Sequence, residues 1–156
     1  MEWELLASHG GAIARNTWAS MVSWPTTTSW TRVYPNEPEA GFGLAAALVD
    51  AHRYRQAVDV FRRVLAVQRD YETLYVLGYA LAWAGDKHEA ATYLREAADL
   101  EPEDFRALYS LGYVLTDTGR YAEAKVAWSK VLQLMPNFPE VENNLRAIES
   151  RIHPQR

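Results

Sequence analysis

The feature that most constrains this chain is an internal repeat of 34 residues. Leu74-x-x-Leu77-Gly78-x-x-Leu81 recurs as Leu108-x-x-Leu111-Gly112-x-x-Leu115. Its second half recurs in step, Ala90-x-x-x-Leu94-x-x-Ala97 with Pro102 becoming Ala124-x-x-x-Trp128-x-x-Val131 with Pro136. An earlier copy, 33 residues upstream, reads Gly41-x-x-Leu44-Ala45-x-x-Leu48 and then Ala57-x-x-x-Phe61-x-x-Val64, with Arg69 in the place of the proline. Apolar residues spaced by three and four predict helices, two per repeat. A helix pair of this length cannot bury its apolar face alone, so neighbouring pairs must stack.

The residue types say how the pairs pack. Gly78, Gly112 and Ala45 are small where one helix meets the other, and Ala57, Ala90 and Ala124 are small on the second helix. Leu77, Leu81, Leu94, Leu111, Leu115, Trp128 and Phe61 fill the space between. Gly85 and Gly119 fall where the first helix ends, a position that favours left-handed backbone, and His52 takes the matching place in the first copy. Pro102 and Pro136 punctuate the second helices. Pro35-Asn36-Glu37-Pro38-Glu39 is similar to Pro136-Asn137-Phe138-Pro139-Glu140, marking both ends of the array. These signals place repeats at 38–70, 71–104 and 105–138, within a domain spanning 37–156. A closing helix at about 139–152 carries Val141, Leu145, Ile148 and Ile152 on one stripe, and its polar side shields the last repeat from water.

This pattern of small and apolar positions resembles the tetratricopeptide repeat family. The resemblance implies an all-α, right-handed superhelical solenoid of antiparallel helix pairs and a non-enzymatic role in binding proteins. It also implies that the first helix of each pair lines a concave groove. Carried onto this chain, the inward positions are Phe42, Ala46 and Val49, then Tyr75, Tyr79, Ala82 and Trp83, then Tyr109, Tyr113, Thr116 and Asp117. Such an aromatic strip suits an extended or proline-rich peptide. A subset of the family clamps the terminal carboxylate of chaperone tails with inward Lys and Asn. Those positions are aromatic or small here, so that mode is not expected.

Residues 1–36 do not follow the repeat. They hold Trp3, Trp18, Trp24 and Trp30, four of the six tryptophans. Gly10-Gly11 interrupts the segment, Pro25 and Thr26-Thr27-Thr28 favour an extended path, and Ile13, Thr17, Met21 and Trp24 share one face of a short helix over about 12–23. Four exposed indoles invite association, so the segment is expected to dock. Its candidate sites are the groove of its own chain, the groove of another copy, or a different protein. Tail-in-groove exchange would make a homo-oligomer, ring or filament, which is the alternative to a monomeric adaptor, assembly factor or chaperone-like scaffold.

Composition narrows the chemistry. The chain has no cysteine and a formal net charge of −4, which removes thiolate chemistry and any electrostatic case for nucleic acid. His9, His52, His88 and His153 are scattered without metal-ligand spacing. No phosphate loop or nucleophile motif is present, Gly41-Phe42-Gly43 being too short. No cofactor is therefore expected. No apolar run reaches a membrane span, and Met1-Glu2-Trp3-Glu4 is acidic where a secretory signal is basic, which makes cytoplasm the default location. The one basic feature is the series Arg53, Arg55, Arg62, Arg63 and Arg69. It reads as a solvated face balanced by acids such as Asp59 and Asp70, or else as a surface for an acidic partner. Asp104 is expected to cap the helix that follows it.

Overall fold

The computed structural model describes residues 38–152. They form seven helices and no strand: α1 Pro38–Asp50, α2 Tyr54–Leu65, α3 Tyr71–Ala84, α4 Lys87–Leu100, α5 Phe105–Asp117, α6 Tyr121–Leu134 and α7 Pro139–Ile152. Each helix packs on its neighbours in sequence, and α1 also meets α3 as α3 meets α5. The first helices of successive repeats therefore touch one another directly as well as through the second helices between them.

Within a repeat, the spacing of the two helices is set where a large side chain of the second lies over a small residue of the first. A Cβ placed on Gly78 would stand 2.7 Å from Leu94 Cγ, and one on Gly112 would stand 2.0 Å from Trp128 Nε1. Neither position has room for a methyl group. Leu94 and Trp128 are buried, as are Phe61, Leu77, Leu81, Leu111 and Leu115, together with Ala45, Ala57, Ala90 and Ala124. The Trp128 indole N–H donates to the Tyr109 carbonyl at 3.4 Å, so burial leaves its polar group partnered.

All three first-to-second helix turns close in the same way. The residue after the left-handed position donates its amide to a carbonyl five residues back: Arg53 to Leu48 at 2.8 Å, Asp86 to Leu81 at 2.9 Å and Arg120 to Leu115 at 2.8 Å. This is the Schellman arrangement, and it requires positive φ. Gly85 and Gly119 supply it at 102° and 75°, and His52 adopts it as well at 57°. At the other turns the second helix hands over to a side-chain cap. Asp70 accepts from the Thr73 amide at 2.8 Å, and Asp104 accepts from the Arg106 amide at 2.9 Å, as its place in the sequence suggests. Val141 and Ile148 of α7 are buried against the last repeat, with Leu145 and Ile152 half-buried.

The basic series is organised differently from its sequence reading. Arg62 pairs with Glu89 at 2.8 Å and Arg69 with Glu96 at 2.5 Å, both acids of the next repeat and not the nearby Asp59 or Asp70. Asp70 is engaged as a helix cap. One repeat later Arg95 pairs with Glu123 at 3.0 Å, and Lys125 with Glu149 of α7. The second helices are thus laced together by a ladder of exposed ion pairs, each contributing about 0–1 kcal/mol and weakened by salt.

Two outcomes follow from this geometry. Gly112→Ala forces the Trp128 indole out of its seat and is expected to lower stability by about 1–3 kcal/mol in urea unfolding. Gly43→Ala, where nothing lies within 4 Å, is expected to raise it by about 0.5–1 kcal/mol through helix propensity alone. Burial works against ionisation of the Asp70 and Asp104 carboxyls. Hydrogen bonds from Thr73 and Gln68 to the first, and from the Arg106 amide and guanidinium to the second, outweigh it and hold both below the ordinary value of 3.8. With the folded pKa depressed, their contribution is complete above the unfolded pKa and is lost as pH falls through the folded one. Asp70→Asn with Asp104→Asn should therefore be less stable than the wild type at pH 6, and the gap should close below about pH 4 in thermal unfolding.

Candidate functional site: an aromatic face on the first helices

Positions one period apart build this face. Phe42, Tyr75 and Tyr109 occupy one repeat position, and Ala46, Tyr79 and Tyr113 the position one helical turn later. The structure places these two rows at different depths. Tyr75 and Tyr109 are 8% and 6% exposed, forming the floor, whereas Phe42, Tyr79 and Tyr113 are half-buried. Phe42 turns its ring edge-on to Phe61 with centroids 5.6 Å apart, so it belongs largely to the packing of the first repeat.

The floor rings are buried because residues of the following repeat or of the boundary after their own repeat cover them. Tyr71 and Tyr75 stack at 5.9 Å, and the Arg106 guanidinium sits 5.3 Å from the centroid of each. Tyr109 stacks on Phe138 at 5.3 Å. The hydrogen bonds that Arg106 donates to Asp104 and then to Glu72 hold it firmly charged against the burial that opposes it. Glu72, Arg106 and Glu140 share one repeat position. The middle charge is opposite to its neighbours, and Arg106 accordingly pairs with Glu72 at 2.9 Å.

At the far end Tyr113 is tied down from three sides. Its ring meets Trp128 edge-on at 5.4 Å, its hydroxyl donates to Glu140, and the Asn144 amide donates to that hydroxyl at 2.9 Å. Burial, followed by the bond to Glu140, raises its pKa. Tyr79 is pushed up to about 12, chiefly by burial. Between Tyr79 and Tyr113 lies a cavity of about 220 Å³, bounded by Ala82, Trp83, Lys87, Ser110, Val114 and Asp117. Lys87 and Asp117 close one rim with an ion pair of 2.9 Å. The predicted residues Tyr79, Trp83, Tyr113 and Asp117 therefore surround one depression, with Tyr75 and Tyr109 beneath the strip and Phe42 apart from it. Trp3, Trp18, Trp24 and Trp30 lie outside the described residues.

A second row runs along the edge where each first helix ends. Tyr54, Lys87 and Tyr121 are equivalent, and so are Trp83, Asp117 and Arg151. Each member of the first set touches the corresponding member of the second across a repeat boundary, by three different chemistries. Tyr54 stacks on Trp83 at 5.8 Å. Lys87 pairs with Asp117. Arg151 lies 5.5 Å over the Tyr121 ring and donates to its hydroxyl at 3.2 Å. Sequence reasoning placed Trp83 on the inner strip and missed Tyr54 and Arg106. The signal was the pairing of complementary residue types one period apart.

The architecture is that of an α-helical repeat solenoid, a class of protein that generally serves as a non-catalytic interaction module. Residues 32–131 match the family model described as anaphase-promoting complex, cyclosome, subunit 3, and the chain belongs to this family of tetratricopeptide repeat proteins. No curated protein matches the sequence. Among solved structures, MamA superposes with a TM-score of 0.74 at 22% identity, covering 78% of this chain and 72% of that one. YrrB, a tetratricopeptide repeat protein with an unusual peptide-binding site, gives 0.74 at 21% identity, with 80% and 65% covered. The tetratricopeptide repeat domain of Sgt2 from Aspergillus fumigatus gives 0.66 at 20% identity, with 74% and 78% covered. These likenesses concern the fold. Among the described residues, no helix is long and apolar enough to cross a membrane, and no three His, Cys, Asp or Glu side chains are grouped to hold a metal ion.

Tyr113→Phe keeps the ring and removes the hydroxyl shared by Glu140 and Asn144. It is expected to cost about 0.5–1.5 kcal/mol in chemical unfolding and to loosen α7 first, visible as faster amide exchange over 141–148.

Proposed function

We propose that this protein is a non-enzymatic scaffold whose first-helix face binds an extended peptide segment, with Tyr79, Trp83, Tyr113 and Asp117 as the contact residues. The observation that carries this reading is the depression between Tyr79 and Tyr113. Its aromatic walls stand on a floor already completed by Tyr75 and Tyr109, so they are pre-positioned and lose little entropy on binding. The depression takes one large side chain, being smaller than the cavities that enclose whole small ligands. Apolar walls with the Lys87–Asp117 pair at the rim favour an aliphatic, aromatic or proline side chain carried on a peptide whose backbone reaches the charged groups. YrrB, with its peptide-binding site on the same fold, is consistent with this use.

A random peptide library displayed against the full chain tests it. Selected peptides should bind at least tenfold more weakly to Tyr79→Ala, because an aromatic contact in such a pocket is worth about 0.5–1.5 kcal/mol beyond its buried area. Tyr79→Ala with Tyr113→Ala should weaken them further, helix content being checked by circular dichroism because Tyr113 also anchors α7. Unchanged affinity in a folded Tyr79→Ala protein would refute the assignment.

A further inference from the structure

The Tyr54–Trp83 boundary differs from the other two along the same edge. Where the corresponding contacts are made by Lys87 with Asp117 and by Arg151 with Tyr121, this one is ring on ring, and Trp83 remains 49% exposed. It is also the only place among the described residues where a non-glycine residue holds positive φ. His52 sits at 57° where the equivalent positions are Gly85 and Gly119, at a cost of about 1–2 kcal/mol. The conformation aims its imidazole at Tyr54, with Nδ1 2.7 Å from the hydroxyl and the rings 5.8 Å apart. Backbone strain kept in this way points to use of the residue's side chain.

Charge singles out the same place. Arg62, Arg69, Arg95, Arg106 and Arg120 are all in ion pairs. Arg53 and Arg55 are exposed, and neither is in an ion pair among the described residues. The two guanidinium groups flank an open depression of about 460 Å³, which also involves His52, Tyr54, Gln56 and Trp83. An indole platform in a depression that two guanidinium groups also line suits an aromatic side chain with carboxylates beside it in sequence. The rings would stack, and each carboxylate would meet a guanidinium in a charge-assisted hydrogen bond.

The chain itself contains such a sequence. Within residues 1–36 the only acidic side chains are Glu2 and Glu4, and they flank Trp3. More than 30 residues separate Trp3 from the start of α1 at Pro38. At about 3.3–3.6 Å per extended residue this is several times the length of a 13-residue helix, so the stretch reaches the edge without constraint. We propose that Glu2-Trp3-Glu4 docks on the platform of Trp83 and Tyr54 within its own chain, its carboxylates held by Arg53 and Arg55. The site is separate from the depression between Tyr79 and Tyr113 and does not rest on the peptide-binding reading, although Trp83 borders both.

The absence of native cysteine makes the test direct in the full chain. A nitroxide on Ser8→Cys should broaden the amide resonances of Arg53, Arg55 and Gln56 to less than half their intensity in the diamagnetic control. Arg53→Glu with Arg55→Glu should restore full intensity at Gln56, and adding Glu2→Lys with Glu4→Lys to that variant should bring the broadening back. Arg53 and Arg55 are exposed, and a retained spectrum of the α3–α6 core shows that the variants are folded. Dilution of the labelled chain into tenfold excess of unlabelled, spin-free chain should leave the broadening unchanged. No broadening at residues 53–56, broadening that ignores charge reversal, or broadening lost on dilution overturns the proposal. Broadening confined to Tyr79, Ala82 and Tyr113 also overturns it, while leaving the peptide-binding face intact.

Discussion

The contact on which the rest of this structure depends is a large side chain seated on a glycine. Trp128 over Gly112 and Leu94 over Gly78 bring the two helices of a repeat so close that no Cβ fits between them. That approach defines the helix-pair unit, and the unit defines everything stacked on it. In the third repeat it has a further consequence. The Trp128 indole must find an acceptor once buried, and it finds the Tyr109 carbonyl. Its ring then gives Tyr113 an edge-on wall to stand against. The outermost aromatic residue of the candidate binding face is thus held by the knob that closes the repeat.

Stacking between repeats follows another logic. Equivalent positions meet across each boundary, but the chemistry of the contact changes from boundary to boundary. Along the edge it is a ring stack, then an ion pair, then a cation over a ring. Across the inner face Glu72, Arg106 and Glu140 alternate in sign at one position. Interchangeable contacts of this kind keep the array's geometry while giving each boundary its own surface. They explain why two chemically distinct depressions, one apolar with a charged rim and one lined by aromatic rings and guanidinium groups, occur on a fold built from one repeated pattern.

The candidate face shows what neighbours do to a strip drawn from one repeat at a time. Tyr75 and Tyr109 lie on the inward side of their own helices. Their faces are occupied by Arg106 and Phe138, which come from the following repeat or its boundary. The surface that remains belongs to Tyr79, Trp83 and Tyr113, one turn or more further along. Asp117 contributes a charge already compensated by Lys87, so the surface carries a dipole there rather than a bare carboxylate.

The 34-residue spacing of small and apolar residues determined the helices, their pairing, the glycine turns and the buried set around Leu77, Leu94, Leu111 and Trp128, because each of these is a local requirement. A helix needs its apolar period, a Schellman turn needs positive φ, and a close crossing needs a residue without a side chain. The cap at Asp104 was legible for the same reason, whereas Asp70 read as a counter-charge to the neighbouring arginines and proved to be a cap. Only the tertiary structure decided which tyrosines stay at the surface, which acids face Arg62 and Arg69, and that His52 can serve where glycine does elsewhere. The first two outcomes depend on residues some 27 to 34 positions away, brought into contact by the stacking of one repeat on the next. A periodic pattern specifies that such stacking occurs, but the partners are set by the angle and offset of the stack, which no single repeat contains.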